Sequence, residues 1–385
     1  MPGGASDIKS TARPIHYAVL LSIPVLWGSY GPILQRFVLT TTLPLPFFNL
    51  LSFLICFVFL RYVSQRTEVQ SYLPIQKYKE KLWRGGMELG MWLFIGVTCL
   101  AYGLQHTSAN KASLILSMKS VNVSILESIS AKRWPNNINI LTCVLAMTGV
   151  YLVTTPKVVS EDNKRPDEED SGSSLVVAAS IFYSIHIFRL GSLSKCFGHT
   201  PLTLASVKAL VMFALTIALI SCQWMFVPSL SAQYSEFIQN FGTEIMHIFY
   251  PVQVTAQDIT TNGGIILVPL KQSVPTPLFI FPSGVWVLIL CTVWNGAGSI
   301  GYSMWAQVFS QKHISSTAAS FVYASTPLWA IFWSLVILNS DDTHMSGTNW
   351  MGALLLMTGV ITQLAHSRYQ SSSDVLTKDS IRHIV

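Results

Sequence analysis

Five ionisable side chains stand in stretches otherwise too apolar to hold a charge: Glu88, Lys119, Glu127, His186 and Lys208. A charge at that depth in a bilayer is costly, so each must meet a partner or a wet cavity. Lys119 and Glu127 are eight residues apart, about 80° round a helix, and with Ser120, Val123 and Ser124 they make one broad polar face. Lys119 there could anchor an anion or a carboxylate, or could form a structural ion pair with Glu88 or Glu127. A carboxylate that takes up and releases a proton is what proton coupling needs, so Glu88 and Glu127 are the candidates for coupling or gating. Glu127, near a helix end, could also pair with Lys132. His186 could titrate near neutral pH, although a lone helical histidine more often packs, and it stands as a secondary site candidate. Lys208, one to two turns inside its stretch, should snorkel to the interface.

Aromatic surface comes from Trp27, Tyr30, Trp294, Tyr302, Tyr323 and Trp329. Most such residues pack or form interface belts. Trp27 stands out because it opens a Trp-Gly-Ser element, and Tyr323 because it lies one turn before Thr326. Pro327 removes an N–H, frees a carbonyl and lets the helix bend, which makes Thr326 and Pro327 site candidates. GAGSIG at 296–301 fits a dinucleotide-binding pattern but has no strand before it, so helix packing explains it. No HExxH, GxSxG, Walker loop or paired-carboxylate arrangement occurs, and the two SxxK strings lack companions. No enzyme, cofactor or metal is expected.

Those residues need elements to hold them. The chain has 385 residues, 51% hydrophobic and 11% charged, with a formal net charge of +6. Soluble proteins are about a quarter charged, so a soluble two-domain enzyme is excluded. The apolar residues fall into ten stretches, about 17–38, 46–63, 87–104, 112–130, 138–154, 174–190, 202–227, 281–304, 316–338 and 350–366. Each approaches the ~20 residues a helix needs to cross a bilayer, and the third, fifth and sixth are the shortest or least apolar. The reading is an all-α polytopic membrane protein of about ten transmembrane helices. The basic residues sit in loops rather than on one face, so nucleic acid is not a partner. Of the six cysteines only Cys196 lies in a polar break, and no CxxC pair suggests zinc or a disulfide framework. The start, MPGGASDIKSTARP, is too short and polar for a signal peptide. Asn122-Val123-Ser124 is inside a span, so glycosylation is not expected.

With both termini cytoplasmic, Arg61, Arg66, Lys77, Lys79, Lys81, Arg84, Lys132, Arg133, Arg189, Lys195 and Lys312 fall on that side, whereas the far side has only Arg36, Lys111, Lys157, Lys164, Arg165 and Lys271. This is the expected bias. The domains read as a tail at 1–16, a first five-helix repeat at 17–155, an acidic linker at 156–173, a second repeat at 174–366 and a Ser-rich, disordered tail at 367–385. The two halves match. TSANKAS at 107–113 aligns with ISSTAAS at 314–320, and Met-Thr-Gly-Val recurs at 147–150 and 357–360. The first alignment pairs Lys119 with Thr326 and Glu88 with Asn295, which makes Asn295 a further site candidate. An odd number of spans per repeat inverts the second copy, an arrangement found in transporters.

The strings LWGSYGPILQRF, AYGLQHTSANKASLILS, WAQVFSQKHISSTAASFVYASTPLWAIFWSLVIL and WMGALLLMTGVITQL resemble the drug/metabolite transporter superfamily in its EamA-like ten-span form, over roughly residues 17–366. The resemblance implies a central cavity lined largely by spans one, three, four, six, eight and nine, moving a small metabolite by alternating access. It makes Lys119, Thr326, Tyr323, Trp27, Asn295 and His186 the expected substrate-binding residues. The partners would be a small-molecule substrate and the bilayer, with a homodimer left open. Two features depart from the pattern: an extramembrane loop at 228–280, and Lys119 itself. A lysine there resembles the sugar-phosphate and nucleotide-sugar exchangers, and Thr326 stands where those would place a base. An anion exchanger anchored on Lys119 is the alternative expectation, and a non-transporting receptor or scaffold is another.

Overall fold

The computed structural model describes residues 13–33, 36–37, 45–68, 76–106, 109–132, 134–154, 166–226, 235, 239, 282–338 and 347–382. The 228–280 loop falls outside these apart from residues 235 and 239. The described chain forms ten helical rods: α1 (Pro14–Ile33), α2 (Leu45–Thr67), α3 (Gln76–His106), α4 (Ala109–Ser130), α5 (Asn137–Thr154), α6 (Pro166–Phe197), α7 (Pro201–Phe226), α8, α9 and α10 (Gly347–Arg382). Of these, α8 is an α segment Pro282–Val293, a π segment Trp294–Tyr302 and an α segment Ser303–Gln311, and α9 joins Ser316–Ala324 to Thr326–Leu338. All ten expected spans are present as helices.

Six rods are long and apolar enough by composition to cross a membrane, including Tyr78–Gly103 of α3 and Gly172–Phe197 of α6. Those two were expected to be short or weakly apolar, and they run further than hydropathy alone suggested. α6 begins inside the acidic linker, at Pro166, a residue that suits a first helical position. α10 runs on through the Ser-rich segment to Arg382, where composition suggested disorder. A helix already nucleated extends at little cost. Leu54, Val58, Ile217, Leu290, Leu354 and Ile361 are exposed on the outer surface, an apolar coat that suits lipid.

The packing repeats the internal match of the sequence. α2 packs on α7, α5 on α10 and α4 on α9, each a helix against its own counterpart. The strongest of the other contacts come in exchanged pairs: α3 with α6 and α8 with α1, α3 with α7 and α8 with α2, α4 with α6 and α9 with α1. Exchanging the halves therefore maps these principal contacts onto themselves, while α8 with α6 and α7 has no such match. Rod direction alternates, since Ser64 meets Thr203 and Glu88 meets Arg189 across antiparallel neighbours, whereas Cys56 meets Met304 across a parallel pair. These are two inverted five-helix repeats.

The recurring Met-Thr-Gly-Val explains itself at the α5–α10 crossing. A Cβ on Gly149 would stand 2.7 Å from the Leu356 nitrogen, and one on Gly359 would stand 3.4 Å from the Leu145 Cβ. The two glycines face each other's helix across the symmetry axis. Beside them the Thr142 hydroxyl donates to Gln363 Oε1 at 2.9 Å, and Gln363 Nε2 donates to Asn139 at 3.1 Å.

Candidate functional site

Between the repeats lies a cavity of about 320 Å³. Its polar wall is Lys119 on α4, His186 on α6, Asn49 on α2, Thr326 on α9, and Asn295, Ser299, Ser303 and Gln307 on α8. Its apolar wall is Trp27 and Tyr30 on α1, Phe53 on α2, Leu93, Val97 and Leu100 on α3, Tyr183 on α6, Met212 on α7, and Ile300 and Met304 on α8. Five of the six expected binding residues thus converge on one cavity, with Lys119 and its counterpart Thr326 both on its surface. Spans two and seven contribute as well, beyond the set the resemblance implied.

The sixth, Tyr323, is fully buried behind the wall. Its ring lies 5.2 Å from that of Trp27, and Gln311 Nε2 donates to its hydroxyl at 3.0 Å. It sets the position of Trp27 rather than facing the cavity. The carbonyl that Pro327 frees is also that of Tyr323, four residues earlier. It is not left open to the cavity: the Thr326 hydroxyl donates to it at 2.7 Å. Thr326 can therefore offer the cavity lone pairs but no proton. α9 breaks at Ser325, whose N–H reaches back only three residues to Val322 at 3.1 Å.

Neither candidate carboxylate reaches Lys119. Glu88, about three turns into α3, forms a bidentate pair with Arg189 of α6, at 2.5 and 2.9 Å. Glu127 accepts the Thr317 N–H at 3.0 Å and the Thr317 hydroxyl, capping the N-terminus of α9. Among the described residues Lys119 makes no ion pair, so the structural pair foreseen with Glu88 or Glu127, and that of Glu127 with Lys132, give way to these contacts. Glu68 does for α7 what Glu127 does for α9, accepting from Leu202 N at 2.6 Å and Thr203 N at 2.9 Å. All three links join one repeat to the other on the face that holds the start of α1. The cavity lies on the other side of them.

Lys208 does not snorkel. It is 1% exposed, and its amine donates to Gln307 Oε1 at 3.2 Å. Its distance from the helix end suggested an interfacial residue, but α8 covers that end. Sequence reasoning missed Gln307, and the signal was available: a glutamine in an apolar helix, as unusual there as a charge. His186 Nε2, Asn295 Oδ1 and Ser303 Oγ are buried without a hydrogen-bond partner among the described residues. All three residues line the cavity. Asn295 is held from its other end, donating to Ser52 Oγ at 3.0 Å.

GAGSIG forms the middle of the π segment of α8. There a Cβ on Gly296 would stand 2.6 Å from the Ser52 carbonyl, so close packing on α2 does account for the glycine. The widened turn was not anticipated, and such turns favour functional sites.

Ten alternating helices, an apolar coat and a polar cavity on the repeat axis define an integral, multi-pass membrane protein of the inverted-repeat kind. Residues 15–155, the first repeat, match the model of the EamA-like transporter family, so this half fits a membrane transporter of the drug/metabolite superfamily. That family is one of transporters rather than enzymes. A solved protein crystal structure aligns with a TM-score of 0.60 at 13% identity, covering 93% of this chain and 99% of that one, a likeness of fold alone. No curated protein matches the sequence.

Proposed function

We propose that the protein moves a small organic metabolite across a membrane by alternating access, with both termini in the cytoplasm. The observation that carries this reading is the cavity itself. It draws on both repeats, it holds the symmetry-related pair Lys119 and Thr326, and carboxylates at Glu68, Glu88 and Glu127 link the repeats to one side of it. A site between two inverted halves, with links between them to one side, is what a rocking carrier requires. Asn295, Trp27 and His186 complete the binding surface, Tyr323 supports it from behind, and the bend at Pro327 lets α9 change shape.

Counterflow tests this. Proteoliposomes preloaded with a mixed metabolite pool should exchange a subset of it, read by mass spectrometry, and the Lys119→Ala protein should exchange a different subset or none. No flux from folded, correctly inserted protein would sink the carrier reading, and saturable binding without flux would favour a receptor.

A further inference from the structure

Two amines meet the cavity region, the half-buried Lys119 lining it and the buried Lys208 behind Gln307. Within the ten spans the sequence has only two acids, Glu88 and Glu127. Both are engaged elsewhere, by Arg189 and by the N-terminus of α9. A buried amine can shed its proton, or its charge can be matched by a bound anion. Lys208 is too buried to reach water, Gln307 supplies a dipole and no charge, and no described carboxylate meets Lys119. Uncompensated positive charge in a low-dielectric site is expensive, and a bound anion removes the expense. Three polar atoms without partners, on His186, Asn295 and Ser303, line the same space. The rest of the lining is mostly aromatic and aliphatic, with Trp27, Tyr30, Tyr183 and Phe53 among it.

We infer that the cavity binds a small organic acid with a flat, apolar body, its anionic head held by Lys119 and the field of Lys208 and its body against Trp27, Tyr30 and Tyr183. This rests on the transport reading for its site and adds the chemical class of the cargo. A sugar phosphate would satisfy the two amines, but it would leave its ring of hydroxyls against hydrocarbon, and each hydroxyl buried without a partner is costly. At about 320 Å³ the cavity is at the small end of ligand pockets, which run roughly 300–1,000 Å³. An aryl or short alkyl acid fits that space.

The test uses matched probes on the full chain: 2-naphthoate, its neutral amide 2-naphthamide, and glucose 6-phosphate. Binding to purified protein is followed by quenching of tryptophan fluorescence, and flux by counterflow of labelled naphthoate. Wild type should prefer naphthoate to the amide by about tenfold or more, since only the acid gains charge-assisted hydrogen bonds. Lys119→Gln and Lys208→Gln should each shrink that ratio by weakening the acid more than the amide, a selective readout that a packing defect would not mimic. The wild-type ratio needs no variant and so survives a misfolded mutant. Equal binding of acid and amide, or stronger binding of glucose 6-phosphate, would overturn the inference. An unchanged ratio in Lys208→Gln would remove Lys208 from it. Acid-selective binding without counterflow would keep the acid site and discard transport, whereas counterflow of the amide at the acid's rate would keep transport and discard the acid.

Discussion

The hydroxyl of Thr326 shows how one side chain can be spoken for in a way that spacing alone does not reveal. Pro327 removes the N–H that would have met the Tyr323 carbonyl, and Thr326 fills the gap at 2.7 Å. Thr326→Val should therefore cost about 1–2 kcal/mol, read as a lower Tm in detergent, because it strands a buried acceptor. In a Pro327→Ala background the helix regains its N–H, and the same Thr326→Val change should cost much less. Additive effects in that double-mutant cycle would mean that the carbonyl is satisfied some other way. What was legible at this scale was residue type: Lys119, Asn295, Trp27 and His186 were visible as polar or aromatic exceptions in apolar runs. What was not legible was pairing. Arg189 reads as an ordinary flanking base until α6 brings it 2.5 Å from Glu88, and Lys208 reads as a snorkelling lysine until Gln307 arrives from α8.

Among the elements, the α5–α10 crossing is the sharpest case of a motif whose purpose is contact. Its two glycines are not equally crowded. Gly149→Ala should destabilise by about 1–3 kcal/mol, because its Cβ would meet helix backbone at 2.7 Å, while Gly359→Ala, with its nearest neighbour at 3.4 Å, should be close to neutral. Equal losses in chemical-denaturation midpoints would contradict this crossing. Element boundaries were harder to foresee than element number. Ten apolar stretches give ten rods, because length and hydropathy are local properties. The early start of α6 and the long run of α10 rest instead on a helix propagating into polar sequence, which composition reads as linker.

At the scale of the molecule, the three carboxylate links join the repeats on the face where α1 starts, and on the proposed reading they hold that face closed. Glu88 and Arg189 are partly exposed, with side chains 31% and 42% accessible, so their pair contributes only about 0–1 kcal/mol. Glu88→Gln alone should shift the balance between states by no more than about fivefold. Removing Glu68 and Glu127 as well should open the terminal face clearly, measured as faster thiol labelling of a cysteine placed at Ser310 on the shut side. If the triple variant labels no faster than wild type, the links do not hold that face closed. The inverted repeat was legible from Met-Thr-Gly-Val and the 107–113 match, and the contact pattern follows it closely. The cavity's exact walls were not, because spans two and seven enter it only through packing.

One feature breaks that pattern. α3 is α-helical from Gln76 to His106, but its counterpart α8 carries the π turn from Trp294 to Tyr302. The turn absorbs residues that an α-helix would have spread along its axis, so deleting one residue there should swing Met304 and Gln307 about 100° away from the cavity. The two halves thus share a plan but not a register. Two identical inverted halves would make the two orientations of the molecule equivalent; the π turn on one half alone removes that equivalence, so on the proposed transport reading the two facing states would differ in energy.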